Sequence, residues 1–241
     1  MSHLSPGRKP IFTLSLTILS VVLFVACALA QGRRAVVVDE RLAAVRDAPD
    51  LSARLVRRLG RGRTVTIMGT RHSPAGVTFY RVAATRRTRG WLQAESVVSP
   101  LRAGDDARLW RLIQASANFD RIGRARIFLD LFAKSALRPA VLLLYGEAAE
   151  EAAGQLSREA ERRLDEREMV AGGAPIFTYY MNYRGLDRYR RAGVAFVFDH
   201  ARRAFHYDGA SWREIVRRYP HSPEAERARQ RLTALEALVS R

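Results

Sequence analysis

Between Ala44 and Pro100 apolar and polar residues alternate in short runs, and glycine, proline or serine closes each run. In Thr64-Val65-Thr66-Ile67-Met68, Val65 and Ile67 point one way and the threonines and Met68 the other. In Phe79-Tyr80-Arg81-Val82, Tyr80 and Val82 share one face and Phe79 and Arg81 the opposite one. Asp50-Leu51-Ser52 reads as a turn after Pro49, His72 to Gly76 as a longer loop, and Thr85 to Gly90 as a basic hairpin connection. A period of two broken at such short intervals predicts a small barrel of antiparallel strands over residues 35–100.

Ser99 to Gly104 ends that pattern, and from Asp105 the period lengthens to that of a helix. Residues 105–170 predict three helices. The first opens on Asp105 and Asp106, which set negative charge at its N-terminus, and buries Leu109, Leu112 and Ile113. The second starts near Asp120 and turns Ile122, Ala125, Phe128, Leu129 and Phe132 inward. The third begins at Arg138-Pro139, where a first-turn proline costs no hydrogen bond, and runs to Gly172-Gly173-Ala174-Pro175. Its apolar ladder is Leu144, Ala148, Ala152, Leu156, Ala160 and Leu164.

Residues 171–209 read as a linker carrying a β-hairpin, with Val194, Phe196 and Phe198 alternating against Phe205 and Tyr207; runs this short also fit a helix. Residues 210–241 predict a helix pair. Trp212, Ile215, Val216 and Tyr219 line the first helix, which stops at Pro220. Ser222 is expected to cap the second, with Pro223 at its first position and Ala225, Ala228, Leu232 and Leu235 inward. The expected fold class is therefore multidomain β plus α.

The compartment is read from residues 1–30. Arg8 and Lys9 precede an uncharged apolar run from Ile11 that ends in Ala28-Leu29-Ala30, the order of a secretory signal peptide, so the chain is expected to be exported to the periplasm or cell envelope. The same run is long enough to span a bilayer if uncut, which leaves membrane anchoring open. Cys27 follows Phe24-Val25-Ala26, a partial match to a bacterial lipoprotein box, and is a candidate for lipidation. It is the only cysteine, so cleavage after Ala30 leaves a chain that can form no internal disulfide.

Charge changes the picture next. The formal net charge is +17, carried almost entirely by arginine, with Lys9 and Lys134 the only lysines. Residues 33–102 hold 15 Arg against 5 Asp and Glu, whereas residues 103–170 hold 11 basic and 12 acidic side chains. A basic strand region on a near-neutral helical one points to an anionic partner. Phe79, Arg81, Arg86, Arg87, Arg89 and Trp91 are the candidate ligand-binding residues, since an outward aromatic beside guanidiniums can hold a sugar ring or a peptide with its carboxylate. The competing reading closes the barrel base with Trp91 and uses the arginines only to solubilise a hairpin.

No catalytic pattern emerges. Gly60-Arg61-Gly62-Arg63 lacks the lysine and spacing of a phosphate loop, and neither a G-x-S-x-G elbow nor H-E-x-x-H occurs. His200 and His206 can approach across a hairpin, but two imidazoles alone seldom hold a metal, so no metal and no cofactor is expected.

Two stretches resemble known families. Val45-Arg46…Pro49, Leu59…Gly62, Val65…Gly69, Tyr80…Val82 and Gly90-Trp91-Leu92 follow the order found in bacterial SH3 (SH3b) domains of the cell envelope. Ile215-Val216-Arg217-Arg218-Tyr219-Pro220-His221-Ser222-Pro223-Glu224 resembles the second half of tetratricopeptide repeats, and Phe132-Ala133-Lys134-Ser135 echoes its Tyr219-to-Ser222 spacing upstream. These resemblances imply a non-enzymatic envelope protein. Its SH3-like module would bind peptidoglycan or another anionic envelope polymer, and its tetratricopeptide-like helical region a protein partner. An accessory or regulatory subunit of a cell-wall hydrolase or envelope assembly complex is the alternative. Export argues against nucleic acid as the partner.

Overall fold

The computed structural model describes residues 33–239. The proposed signal segment and Cys27 lie outside the described residues. The fold is mixed: a seven-stranded antiparallel sheet, then helices that enclose a two-stranded hairpin.

The sheet comprises Arg33–Val37 (β1), Ala44–Arg46 (β2), Leu55–Arg58 (β3), Thr64–His72 (β4), Thr78–Ala83 (β5), Arg89–Gln93 (β6) and Val97–Val98 (β7), in the spatial order β3-β2-β6-β5-β4-β1-β7. Val65 and Ile67 face inward and Thr64 and Met68 outward, as alternation requires. Inward residues from β1, β2, β4, β5, β6 and β7 form one cluster that includes Val37, Val45, Val65, Val82, Leu92 and Val97. Strands near opposite ends of the order thus share a core, so the sheet is strongly curled. Among the described residues the end strands β3 and β7 do not pair with each other, and the expected closed barrel is not formed. Strand β4 also runs further than its alternation foretold, through His72, with a bulge between Ile67 and Gly69 that leaves Met68 exposed.

The helices are Asp105–Gln114 (α1), Asn118–Leu131 (α2), Arg138–Arg163 (α3), Glu166–Ala171 (α4), Ile176–Met181 (α5), Asp187–Arg191 (α6), Ala210–Arg218 (α7) and Ala225–Val239 (α8). The hairpin strands Phe196–Asp199 (β8) and Ala204–Tyr207 (β9) pair Phe196 with Tyr207 and Phe198 with Phe205, and β9 lies against α3. Ala148, Ala152, Leu156 and Ala160 of the expected ladder are buried. The single long helix anticipated up to Gly172, however, breaks at Leu164. Asp165 turns extended there, and its carboxylate accepts from the Arg167 and Glu168 backbone N–H groups. A short acidic side chain that satisfies first-turn donors starts a new helix more favourably than it continues an old one.

The helix pairs α2–α3 and α7–α8 are joined by the same turn. Phe132 ends α2 at φ −114° and ψ 52°, and Tyr219 ends α7 at φ −132° and ψ 49°. Ser135 N–H bonds Phe132 O at 3.1 Å and Arg138 N–H bonds Ser135 O at 3.1 Å; the corresponding bonds at Ser222 and Ala225 are 3.0 and 3.1 Å. The expected side-chain cap at Ser222 is therefore replaced by a backbone turn: α8 starts at Ala225, and the buried Ser222 hydroxyl has no hydrogen-bond partner among the described residues.

Sheet and helices pack directly. Val38 and Val98 are buried in the same cluster as Leu109, Phe128, Leu142 and Trp212. Among the described residues no helix is long and apolar enough to cross a membrane.

Candidate functional site

Cross-strand register defines the outer face of the sheet. Leu55, Arg46, Trp91, Arg81 and Gly69 lie opposite one another in a row across β3, β2, β6, β5 and β4. A second row holds Arg34, Thr66, Ala83 and Arg89, and a third holds Arg71, Phe79 and Gln93. Half-exposed Trp91 is thus surrounded by Arg46, Arg71, Arg81 and Arg89 on the three central strands and β2. The Arg71 guanidinium carbon lies 5.7 Å from the centre of the Trp91 ring, a cation–π arrangement that leaves Arg71 exposed.

Of the six residues expected to bind, Arg81, Arg89 and Trp91 come together here. Phe79 is not part of this surface: it is 0% exposed, with Arg71 and Gln93 opposite it on the neighbouring strands. Its place on the outer face was foreseen, but its burial depends on neighbours from other strands. Arg86 and Arg87 project from the exposed hairpin tip, where Thr85 Oγ1 accepts from the Arg87 and Thr88 N–H groups at 3.2 and 2.9 Å. Arg46 and Arg71 escaped the sequence reading. The signal for Arg71 was the extension of alternation past Gly69, hidden by the bulge, whereas Arg46 reaches Trp91 only through the pairing of β2 with β6.

Among the described residues, Arg71, Arg81, Arg86, Arg87 and Arg89 make no ion pair with a carboxylate. Elsewhere arginines are regularly paired, as Arg61 with Asp120 at 3.0 Å and Arg138 with Glu214 at 2.9 Å. The outer face is therefore an uncompensated cationic surface around an indole, suited to anions and to flat or ring-shaped groups that stack.

Acid–base groups gather elsewhere. His206 Nδ1 lies 2.8 Å from Glu150 Oε1, while Glu150 Oε2 accepts the Tyr207 N–H at 2.6 Å, and the other imidazole nitrogen is buried without a partner. His200 instead sits against the rings of Phe177 and Phe198, so the two histidines serve different neighbours. Burial pushes the phenols of Tyr145 and Tyr207 above their ordinary range, which keeps both protonated as hydrogen-bonding groups near neutrality. Among the described residues no three His, Cys, Asp or Glu side chains gather as a metal site needs.

Comparison with protein families, with characterised proteins and with solved structures finds no match to this chain.

Proposed function

We propose that this chain is a non-enzymatic binding protein of the bacterial cell envelope, with an SH3b-like sheet module that holds an anionic wall polymer such as peptidoglycan. The observation that carries this reading is the outer face, where Arg46, Arg71, Arg81 and Arg89 surround Trp91 and the exposed guanidiniums of Arg71, Arg81 and Arg89 have no carboxylate partner among the described residues. The curl of seven short antiparallel strands around one core supports the SH3-like reading. The basic, apolar and small-residue order of residues 1–30 supports export.

The helical region is proposed to bind a protein partner. Its two matching turns, at Phe132 and Tyr219, support a tetratricopeptide-like arrangement, and Val170 and Phe177 expose 64% and 40% of their surface on α4 and α5.

Retention on purified peptidoglycan tests the wall-binding reading. Retention at low ionic strength should fall as salt rises, because exposed charges are screened within about 10 Å at 0.1 M. Replacing Arg71, Arg81 and Arg89 together by Ala should weaken retention on the order of tenfold, given roughly 0.2–1 kcal/mol for each exposed pairing. Replacing Arg86 and Arg87 at the hairpin tip should cost less. Equal retention of the triple variant and the parent chain would rule this face out.

A further inference from the structure

A second site lies on the inner side of the sheet, where β1 begins against β4 and the linker from Ser99 to Asp105 crosses over. It is a cavity of about 270 Å³. At roughly 30 Å³ per water this is room for about nine waters, enough for an aliphatic amino-acid residue together with its terminal carboxylate and less than most cofactor pockets offer. Ala35, Ile67, Val97 and Leu101 supply apolar walls, and Arg33, Tyr80 and Arg102 supply hydrogen-bond donors.

The charges are unequal. Asp105 lines the cavity, but its buried carboxylate is already engaged: it accepts the Ser99 N–H at 2.8 Å and faces Arg108 Nε at 3.2 Å and Arg102 Nε at 3.7 Å. Arg108 in turn donates to the carbonyls of Glu95 and Val97, which fixes it behind the pocket. Arg33 is exposed and, among the described residues, forms no ion pair, while Asp105 is paired with Arg102 and Arg108, so positive charge is left over. Arg102 lies over the Tyr80 ring, 6.0 Å from its centre, and donates to the phenol oxygen at 2.9 Å. That bond uses the oxygen as acceptor and leaves the phenolic proton free to donate. An incoming carboxylate would thus meet Arg33 and the Tyr80 hydroxyl together, with an aliphatic group against Ile67 and Val97.

Leu101 decides what kind of carboxylate fits. It is 70% exposed, the highest value among the large apolar side chains exposed in the described region, and it stands at this cavity. A free fatty acid that fills the cavity with its tail and ends at the arginine covers only the side of Leu101 that lines the cavity and leaves its outward surface bare. A peptide covers it with the residue before the last. We infer that this cavity binds the C-terminal aliphatic residue of a peptide through its free carboxylate, with Leu101 packing on the preceding side chain. The site is separate from the outer face, and its failure would leave the wall-polymer reading intact.

Calorimetry on the full chain, with amide NMR shifts at Ser99 to report location, tests the inference. The probes are acetyl-Leu-Val with a free carboxylate, the same dipeptide as its C-terminal amide, and hexanoate. The acid should bind about tenfold tighter than the amide, the difference expected for one charge-assisted hydrogen bond. Arg33→Gln should reduce the acid to the level of the amide, and Leu101→Ser should weaken both dipeptides several-fold. Both residues are exposed, so neither change threatens folding. Arg81→Ala on the outer face should leave all three probes unaffected. Equal affinity of acid and amide, or no binding of either, would overturn the site; hexanoate binding as tightly as the acid would overturn the peptide assignment.

Discussion

Arg124 is 5% exposed between sheet and helices, where Nε donates to the Val38 carbonyl at 3.0 Å and Nη1 to Ser116 Oγ at 2.6 Å. Burial, then the neighbouring Arg61, lowers its pKa, yet a guanidinium stays charged in proteins. Arg124→Met keeps most of the volume but strands a buried carbonyl, and should destabilise the protein by about 1–3 kcal/mol in urea denaturation. An unchanged midpoint would refute this assignment. Acid stability is also set at this scale. Hydrogen bonds from the Arg41 side chain hold the Asp39 carboxyl below its usual range against the opposing effect of burial. The Arg202 backbone N–H, ahead of smaller contributions from the Arg202 side chain and Ala201, does the same for Asp199 despite desolvation. Unfolded, both titrate near the ordinary value of about 3.9. The folded state therefore binds protons more weakly. The stability these groups confer is present above about pH 4 and disappears as pH falls through their lower folded values. Thermal melts should be level from pH 7 to about 5 and decline below about 4. Asp199→Asn should flatten that decline; an identical acid limb in the variant would count against it.

Two glycines in α3 show how an element is tuned to its neighbours. A Cβ at Gly146 would stand 2.3 Å from Trp212 Nε1 and 2.6 Å from Ser211 Oγ, so α7 approaches α3 only because that position carries no side chain. Trp212 Nε1 and Ser211 Oγ are buried there without hydrogen-bond partners among the described residues, packed for shape. At Gly154 the nearest atom to such a Cβ is Arg158 Nη1 at 3.6 Å, an ordinary contact. Alanine at the two positions should act in opposite directions. Gly146→Ala should destabilise by about 1–3 kcal/mol through overpacking. Gly154→Ala should stabilise by about 0.5–1 kcal/mol, the helix-interior difference between the residues. Equilibrium denaturation of both variants reads the contrast, and shifts of the same sign would show that the close contact of α3 and α7 is not what the glycine serves.

For the molecule as a whole, sheet and helices share buried surface. Val38 and Val98 lie in the helical core cluster at 0% exposure, and the bonds of Arg124 to the Val38 carbonyl and of Arg108 to the Glu95 and Val97 carbonyls cross the boundary. Separation would expose those valines and strand those carbonyls, so the two parts should unfold together. Trp91 reports on the sheet and Trp212 on the helices. Fluorescence of single-tryptophan variants should give coincident midpoints, as a two-state transition requires. Two separated transitions would instead establish independent domains.

Local periodicity was enough to place most elements. Alternation at Val65 and Ile67 put the core face of β4 correctly, the Phe196 and Phe205 runs formed the hairpin, and the spacing at Phe132 and Tyr219 anticipated two turns of the same geometry. It failed where local signals compete, as at Leu164, where the apolar ladder continues but the Asp165 carboxylate starts a new helix. The binding surfaces were legible only in part. Arg81, Arg89 and Trp91 sit close enough along two adjacent strands to be singled out from the sequence, whereas Arg46 joins them through a pairing that spans 45 residues, from position 46 to 91. The inner cavity draws on β1, β4, β5, β7 and the linker, and Phe79 is buried where it pairs with residues of two other strands. Sequence alone determined which faces are apolar and where positive charge accumulates, because both follow from neighbours along the chain. Only the tertiary structure decided which arginines surround Trp91 and which one is left uncompensated beside a cavity, because strand register brings together residues that the sequence keeps far apart.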